Sequence, residues 1–268
     1  MKREKVVPVI DDLPLWSAPF GLKLLDVIKY KENIKVLDIG SGLGFPLIEV
    51  AGRLGNSCEV IGIDPWKEGI ERIKAKIDAW EMTNVKIIEG EAEKLPFEND
   101  YFDLIISNNG INNVEDDRKV LEEINRTAKT GCQLVVTVNM PDTMMEFYSL
   151  YENVLAKYGK LEEIMYMKEH IFHKRKPLEY TKNLVEQNGF KINSVFEDSF
   201  NLRFNSGSVM FKHPLIEFAF IDEWKKIVDK NDRGFIFKEL EKELNNLSSQ
   251  SNGLLLTIPW ICIDSAKT

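Results

Sequence analysis

One stretch constrains this chain more than any other: Val36-Leu37-Asp38-Ile39-Gly40-Ser41-Gly42-Leu43-Gly44-Phe45-Pro46. An apolar run passes into three glycines at alternate positions, and a helical pattern starts at once. Glycine lets a backbone turn sharply and approach other groups closely. A strand, a glycine turn and a helix in that order build a seat for a ligand with a charged or polar tail. The glycines at 40, 42 and 44 read GxGxG. A dinucleotide turn wants GxGxxG, with its third glycine at 45, where this chain has Phe45. Such a triplet can also be a purely structural turn, so its neighbours matter. Asp38 stands beside the turn, where it either accepts from an ammonium group or caps the turn. Asp64 ends the next apolar run, where carboxylates bind ribose hydroxyls or cap the helix that follows. Glu91 ends the third, placed to accept from the exocyclic amine of a base.

The chain alternates around this turn. Apolar runs at 34–39, 58–63, 85–88, 102–107 and 133–138 predict strands, of the continuous kind that parallel sheets bury on both faces. Helical periodicity fills 15–30, with Trp16 and Phe20 on its apolar face, and 115–129, closed by Gly131. A helix starts at Pro46 and stops at Gly55. Another carries Ile70, Ile73, Ile77 and Trp80 on one face. Residues up to about Pro14 read as irregular. This alternation predicts an α/β fold, a doubly wound, mostly parallel seven-stranded sheet with right-handed crossovers. Ligands of such sheets sit past the carboxyl ends of the strands. The glycine turn, Asp64, Glu91 and Asn108-Asn109 all fall there. The second half is richer in helices. Segments 141–158 and 162–173 carry Met144, Met145, Phe147, Tyr148, Tyr151, Met165, Tyr166 and Met167, and 177–188 is a helix capped by Gly189. A strand at 191–196 is paired or extended by 200–211. Helices at 214–228 and 234–247 precede a last strand at 254–263.

Charge and cysteine usage narrow the partners. The formal net charge is -8, and an acidic surface repels phosphate backbones, so no nucleic-acid partner is expected. The one basic cluster, Lys174-Arg175-Lys176, reads as a solvated helix end. Cys58, Cys132 and Cys262 lie far apart in or beside apolar runs, without metal or redox spacing. They read as buried thiols in a reducing compartment, and no metal site is expected. The N-terminus lacks the apolar core of a signal peptide, and no run has the roughly 20 apolar residues of a membrane span. A cytoplasmic protein is expected.

Several motifs in order carry a resemblance: the turn at 36–44, Gly62-Ile63-Asp64, Gly90-Glu91-Ala92-Glu93-Lys94-Leu95-Pro96-Phe97 and Phe102-Asp103-Leu104-Ile105-Ile106-Ser107-Asn108. Over about residues 34–140 the sequence resembles class I S-adenosyl-L-methionine-dependent methyltransferases. The subgroup is the small-molecule one typified by ubiquinone/menaquinone-biosynthesis C-methyltransferases. The resemblance implies one methyltransferase domain over 1–268, with an N-terminal cap-helix region (1–33), a cofactor-binding core (34–140), and substrate-side helices, including a helical insertion, with the last strands (141–268). It implies that Asp38, Gly40, Ser41, Gly42 and Gly44 hold the methionine part of S-adenosyl-L-methionine. Asp64, followed by Pro65, takes the ribose, and Trp66 lies beside the adenine. Glu91 and the Ala92 backbone read the adenine edge, and the Asn108 backbone faces the amino-acid end. The subgroup more often has aspartate at the position of Glu91, which keeps the charge.

Methyl transfer from a sulfonium is an in-line displacement in which placement does much of the work. A base is needed only when the acceptor must lose a proton. The family has no universal catalytic residue to carry over. His173, Asn109 and Asn113 are the candidates for handling or orienting an acceptor, with His170 and His213 as further histidines. Trp16, Phe20, Met144, Tyr148 and Tyr151 are candidates to line an apolar acceptor pocket, or are simply core. The acceptor is expected to be a small molecule that these motifs do not name, and they leave the oligomeric state open. Two rival readings are a protein that binds the cofactor without turnover and a nicotinamide-dependent oxidoreductase. Phe45 and the 90–97 segment argue against the second.

Overall fold

The computed structural model describes residues 15–268; the irregular start expected up to Pro14 lies outside them. Helix α1 (Ala18–Val27) precedes β1 (Lys35–Ile39), α2 (Leu47–Leu54), β2 (Glu59–Asp64), α3 (Lys67–Ala79), β3 (Val85–Glu89) and β4 (Phe102–Asn108). A single 3-10 turn (Ile111–Asn113) leads to α4 (Asp117–Thr127) and β5 (Ala128–Asn139). Then come α5 (Met145–Lys157), α6 (Leu161–Lys174), α7 (Leu178–Gln187) and β6 (Phe190–Phe204). Four helices, α8 (Gly207–Phe211), α9 (Pro214–Ala219), α10 (Ile221–Lys226) and α11 (Arg233–Gln250), separate β6 from β7 (Leu254–Lys267).

The seven strands form one sheet in the order β3-β2-β1-β4-β5-β7-β6, with helices on both faces. β1 pairs in parallel with β2 and β4, β2 with β3, and β4 with β5, whereas β7 runs antiparallel to β5. The expected doubly wound, mostly parallel sheet is the one observed. Its order reverses between β1 and β4, which places the crevice of a doubly wound sheet at the glycine turn. Val36, Leu37, Val60, Ile61, Leu104, Ile105, Leu134 and Val135 are buried in the central strands. Apolar runs become central parallel strands because both faces are covered.

The described chain divides into two compact units. The first comprises residues up to Asn139 with Lys176–Asp198 and Trp260–Thr268, and holds most of the sheet. The second comprises Met140–Arg175 and Ser199–Pro259. Its core is aromatic: Phe147 stacks on Trp224 with ring centroids 4.0 Å apart, and Tyr151 Oη donates to the Trp224 carbonyl at 3.0 Å.

Three expected boundaries differ. Gly131 does not close a helix. α4 ends at Thr127, and Gly131, at φ 78°, lies inside β5 beside a register shift opposite Phe102 and Leu104. Segment 200–211 is not all strand, because β6 stops at Phe204 and Ser206 caps α8 by accepting from Val209 N–H at 3.2 Å. The helix expected over 214–228 is two short ones, broken at Phe220, whose φ of -131° is not helical.

Gly62 shows how tightly the first unit is built around its turn. A Cβ there would lie 2.5 Å from Ser41 Oγ, 2.7 Å from Leu47 Cδ2 and 2.9 Å from Ile87 Cδ1. Gly62→Ala is therefore expected to destabilise the protein by about 1–3 kcal/mol through overpacking, measured by urea unfolding. An unchanged midpoint would show that the turn is not held against β2.

Candidate functional site

The glycine turn is a backbone structure first. Gly40, Gly42 and Gly44 have φ of 75°, 53° and 98°, a region that disfavours side chains. Gly40 N–H donates to the Ile63 carbonyl at 3.0 Å, and Gly44 N–H to the Ser41 carbonyl at 2.8 Å. A Cβ on Gly40 would lie 2.9 Å from the Gly110 Cα, so the loop after β4 presses against the turn. A Cβ on Gly42 would meet nothing within 4 Å. That side of the turn is open to a ligand.

Asp64, at the end of β2, ties this geometry together. One carboxylate oxygen accepts from Gly42 N–H and the other from Trp66 N–H, both at 2.8 Å. The same group thus braces the turn after β1 and holds Trp66, the residue that leads into α3. Each oxygen keeps a further acceptor site. Lys76, from α3, adds a second brace that the sequence reading missed. Its buried ammonium donates to the Leu43 carbonyl at 2.6 Å. Its signal was a lysine on the apolar stripe that begins at Ile70 and Ile73.

Asp38 is the exception in this network. It is 0% exposed, and neither carboxylate oxygen has a hydrogen-bond partner among the described residues. The adjacent Ser41 hydroxyl donates to the Asp38 backbone carbonyl at 3.1 Å. Burial pushes the Asp38 carboxyl up to about 7; the nearby Ser41 hydroxyl opposes the rise and the Asp64 charge adds to it. Buried polar groups are ordinarily satisfied, so a buried carboxylate without a partner among the described residues sets Asp38 apart from the rest of the turn.

Sequence neighbours of the site have divided roles. Phe45, the residue in place of a third dinucleotide glycine, packs its ring on Gly21 of α1. A Cβ on Gly21 would lie 2.2 Å from the ring and 3.2 Å from Asn108 Nδ2. Both ends of the Asn108 side chain are engaged in structure: Nδ2 donates to the Ser17 carbonyl at 3.0 Å, and Oδ1 accepts from Thr137 Oγ1 at 2.9 Å. Asn109, at φ 59°, makes the turn after β4. Its Oδ1 accepts from Asn112 Nδ2 at 2.8 Å and from Asn139 N–H at 3.1 Å. Asn113 is exposed, and its Nδ2 donates to the Asn109 carbonyl at 3.2 Å. These asparagines shape a turn, with Thr137 and Asn139 as members the sequence reading did not single out.

The segments that follow β2 and β3 are more open. Pro65 is exposed, and the half-buried Trp66 ring packs within 2.9 Å of where a Gly69 Cβ would stand. Glu91 is exposed and Ala92 buried. Their loop is held by α4: Glu123 accepts from Leu95 N–H at 2.8 Å, and Arg126 donates to the Leu95 and Phe97 carbonyls at 3.0 and 2.7 Å. That clasp is a physical reason for the Leu95-Pro96-Phe97 segment to keep its shape.

His173 lies in the second unit, exposed near the end of α6. His170, half-buried on the same helix, has its pKa lowered chiefly by burial. Phe20 and Trp16 pack edge to face with centroids 5.7 Å apart, and Phe20 meets Trp260 at 5.9 Å. Met144, Tyr148 and Tyr151 are buried in the second unit. The Lys174-Arg175-Lys176 cluster is not a solvated helix end, because Arg175 is buried. No group of histidines, cysteines and acids that could hold a metal occurs among the described residues.

A seven-stranded sheet with an antiparallel β7, a glycine turn after β1 and an acid closing β2 defines the class I methyltransferase fold. The chain belongs to the family described as a methyltransferase domain, which it matches over residues 30–198. It is 31% identical over 144 residues to a demethylmenaquinone methyltransferase of Bacillus cereus, covering 52% of this chain and 60% of that protein. The match thus spans about three-fifths of the curated relative's length. Among solved structures, the YcgJ protein of Bacillus subtilis superposes with a TM-score of 0.59 at 19% identity, covering 92% of this chain and 97% of its own. A phosphoethanolamine N-methyltransferase of Haemonchus contortus, solved with phosphomonomethylethanolamine and S-adenosylhomocysteine, gives 0.54 at 16% identity, covering 93% of this chain and 52% of its own. At these identities the two structures show likeness of fold.

The Asp38 environment makes a prediction about the free protein. The folded state holds this proton up to about 7, whereas the unfolded chain releases it near 3.8. Between those values the native state binds the extra proton, so this group's contribution lowers stability as pH rises. Asp38→Asn is expected to remove that slope, measured by urea unfolding between pH 4.5 and 7.5. Parallel pH profiles for the two proteins would contradict the assignment.

Proposed function

We propose that the chain is an S-adenosylmethionine-dependent methyltransferase acting on a small molecule. The orphaned Asp38 carboxylate beside the open face of Gly42 carries this reading. The cofactor supplies an electrophilic methyl on a sulfonium, and its amino-acid tail carries the ammonium that Asp38 lacks. Asp38 takes that ammonium, and the turn of Gly40, Ser41, Gly42 and Gly44 wraps the tail. The Asn108 backbone closes the same end. Asp64 turns its remaining acceptor sites to the ribose hydroxyls. Trp66, after Pro65, lies along the adenine, with Glu91 and the Ala92 backbone at its edge.

The chain's part in the reaction is placement and exclusion of water, which bring an acceptor atom into line with the methyl. Asn109 and Asn113 act by shaping the turn after β4. The acidic balance supports an acceptor other than nucleic acid. No helix of the described residues is long and apolar enough to cross a membrane. Three free, buried cysteines support a reducing compartment, the cytoplasm.

Calorimetry with S-adenosylmethionine, S-adenosylhomocysteine and NAD tests the reading. Both sulfur ligands are expected to bind and NAD is not; binding of NAD alone would sink it. Asp64→Ala is expected to weaken S-adenosylhomocysteine binding by about 1–3 kcal/mol and to lower thermal stability as well, because Gly42 N–H and Trp66 N–H lose their acceptor. A loss of stability with unchanged affinity would leave Asp64 as a brace alone.

A further inference from the structure

The second unit buries a cation that pairs with no acid among the described residues. Arg175 is 5% exposed and leaves the end of α6 in extended backbone, φ -141° and ψ 95°. Its Nη1 donates to the Thr143 carbonyl at 3.0 Å. The guanidinium carbon stands over the Tyr148 ring, 5.2 Å from its centroid. No carboxylate forms an ion pair with it among the described residues. Glu223, whose charge reaches the neighbouring His170, is taken by Lys226 at 2.5 Å.

A guanidinium presents five N–H donors in a rigid fork, and the Thr143 carbonyl uses one. Taking such a charge out of water is expensive unless an anion compensates it. A neutral amide would tie the Thr143 carbonyl without that penalty. Tyr148, whose ring lies under the guanidinium, carries a hydroxyl, a second donor. It is 1% exposed, and its hydroxyl accepts from Trp224 Nε1 at 2.9 Å. Its own O–H has no acceptor among the described residues. The remaining donors of a planar fork and a phenol proton match the oxygens of a carboxylate or phosphate.

We propose that Arg175 and Tyr148 form an oxyanion-binding site in the second unit, for a ligand bearing a carboxylate or a phosphate monoester. The oxyanion site stands on the second unit alone.

The test uses the full chain, with and without saturating S-adenosylhomocysteine. Phenyl phosphate, benzoate and neutral benzamide are titrated in, followed by calorimetry and by the arginine Nε–H resonances. An anion is expected to shift the Arg175 resonance, assigned by its loss in Arg175→Gln, whereas benzamide leaves it in place. Binding to Arg175→Gln is expected to be at least about tenfold weaker than to the wild type. Arg175→Lys, which keeps the charge without the fork, and Tyr148→Phe fall between. Thermal melting and S-adenosylhomocysteine affinity check that the variants fold. Tighter binding of phenyl phosphate identifies a phosphate ligand, and of benzoate a carboxylate. An Arg175 resonance in the wild type that neither anion moves would overturn the proposal and leave Arg175 as a tie to Thr143. Anion binding without any binding of S-adenosylhomocysteine would overturn the cofactor reading and retain the oxyanion site.

Discussion

Two backbone N–H groups from different crossovers, those of Gly42 and Trp66, meet on one carboxylate. Asp64 fixes the turn after β1 against the start of α3 at 2.8 Å on each side, and the rest of the site inherits its shape from that junction. Gly42 is held with its open face outward. Lys76 pins the next carbonyl of the same turn, and Gly62 lets the turn lie against β2. A carboxylate at the end of a parallel strand is well placed for this, because both donors arrive at the same edge of the sheet.

Within this braced frame, Asp38 stands out by what it lacks. The Gly40, Gly42 and Gly44 N–H groups, the Ser41 hydroxyl and the Asp64 carboxylate have partners, whereas this buried carboxylate has none among the described residues and holds its proton to about 7. A fold that needed only a rigid turn gains nothing from such a charge. A fold that must grip an ammonium gains a strong, desolvated partner for it. Phe45 sharpens the choice of ligand. Its ring fills the space against Gly21, where a dinucleotide turn keeps a glycine, and so α1 lies close over the site.

Much of this was legible in the sequence because it is local. The three glycines, the acid before them and the acid ending the next strand are fixed by position along strands of known direction. The alternation of apolar runs and helical stripes carried the sheet itself. The double duty of Asp64 was not legible, since it depends on Gly42 and Trp66 meeting in space. Neither was the use of Asn108 and Asn109 as turn braces, which depends on Ser17, Thr137 and Asn139. Arg175 was misread for the same reason: within Lys174-Arg175-Lys176 it looks solvated, and only the extended turn out of α6 carries it inward. Gly131 looked like a helix stop because a glycine with positive φ serves a bulged strand equally well.

The central claim is that the Asp38 carboxylate is the counter-charge of a cationic ligand. It is tested most directly by the protons exchanged when S-adenosylhomocysteine binds. With its carboxyl at about 7 in the free protein, Asp38 is mostly protonated at pH 6.5 and must ionise to pair with the ammonium. Calorimetry at that pH in buffers of different ionisation enthalpy is predicted to show release of most of a proton, absent in Asp38→Asn. Binding without proton release in the wild type would contradict the account.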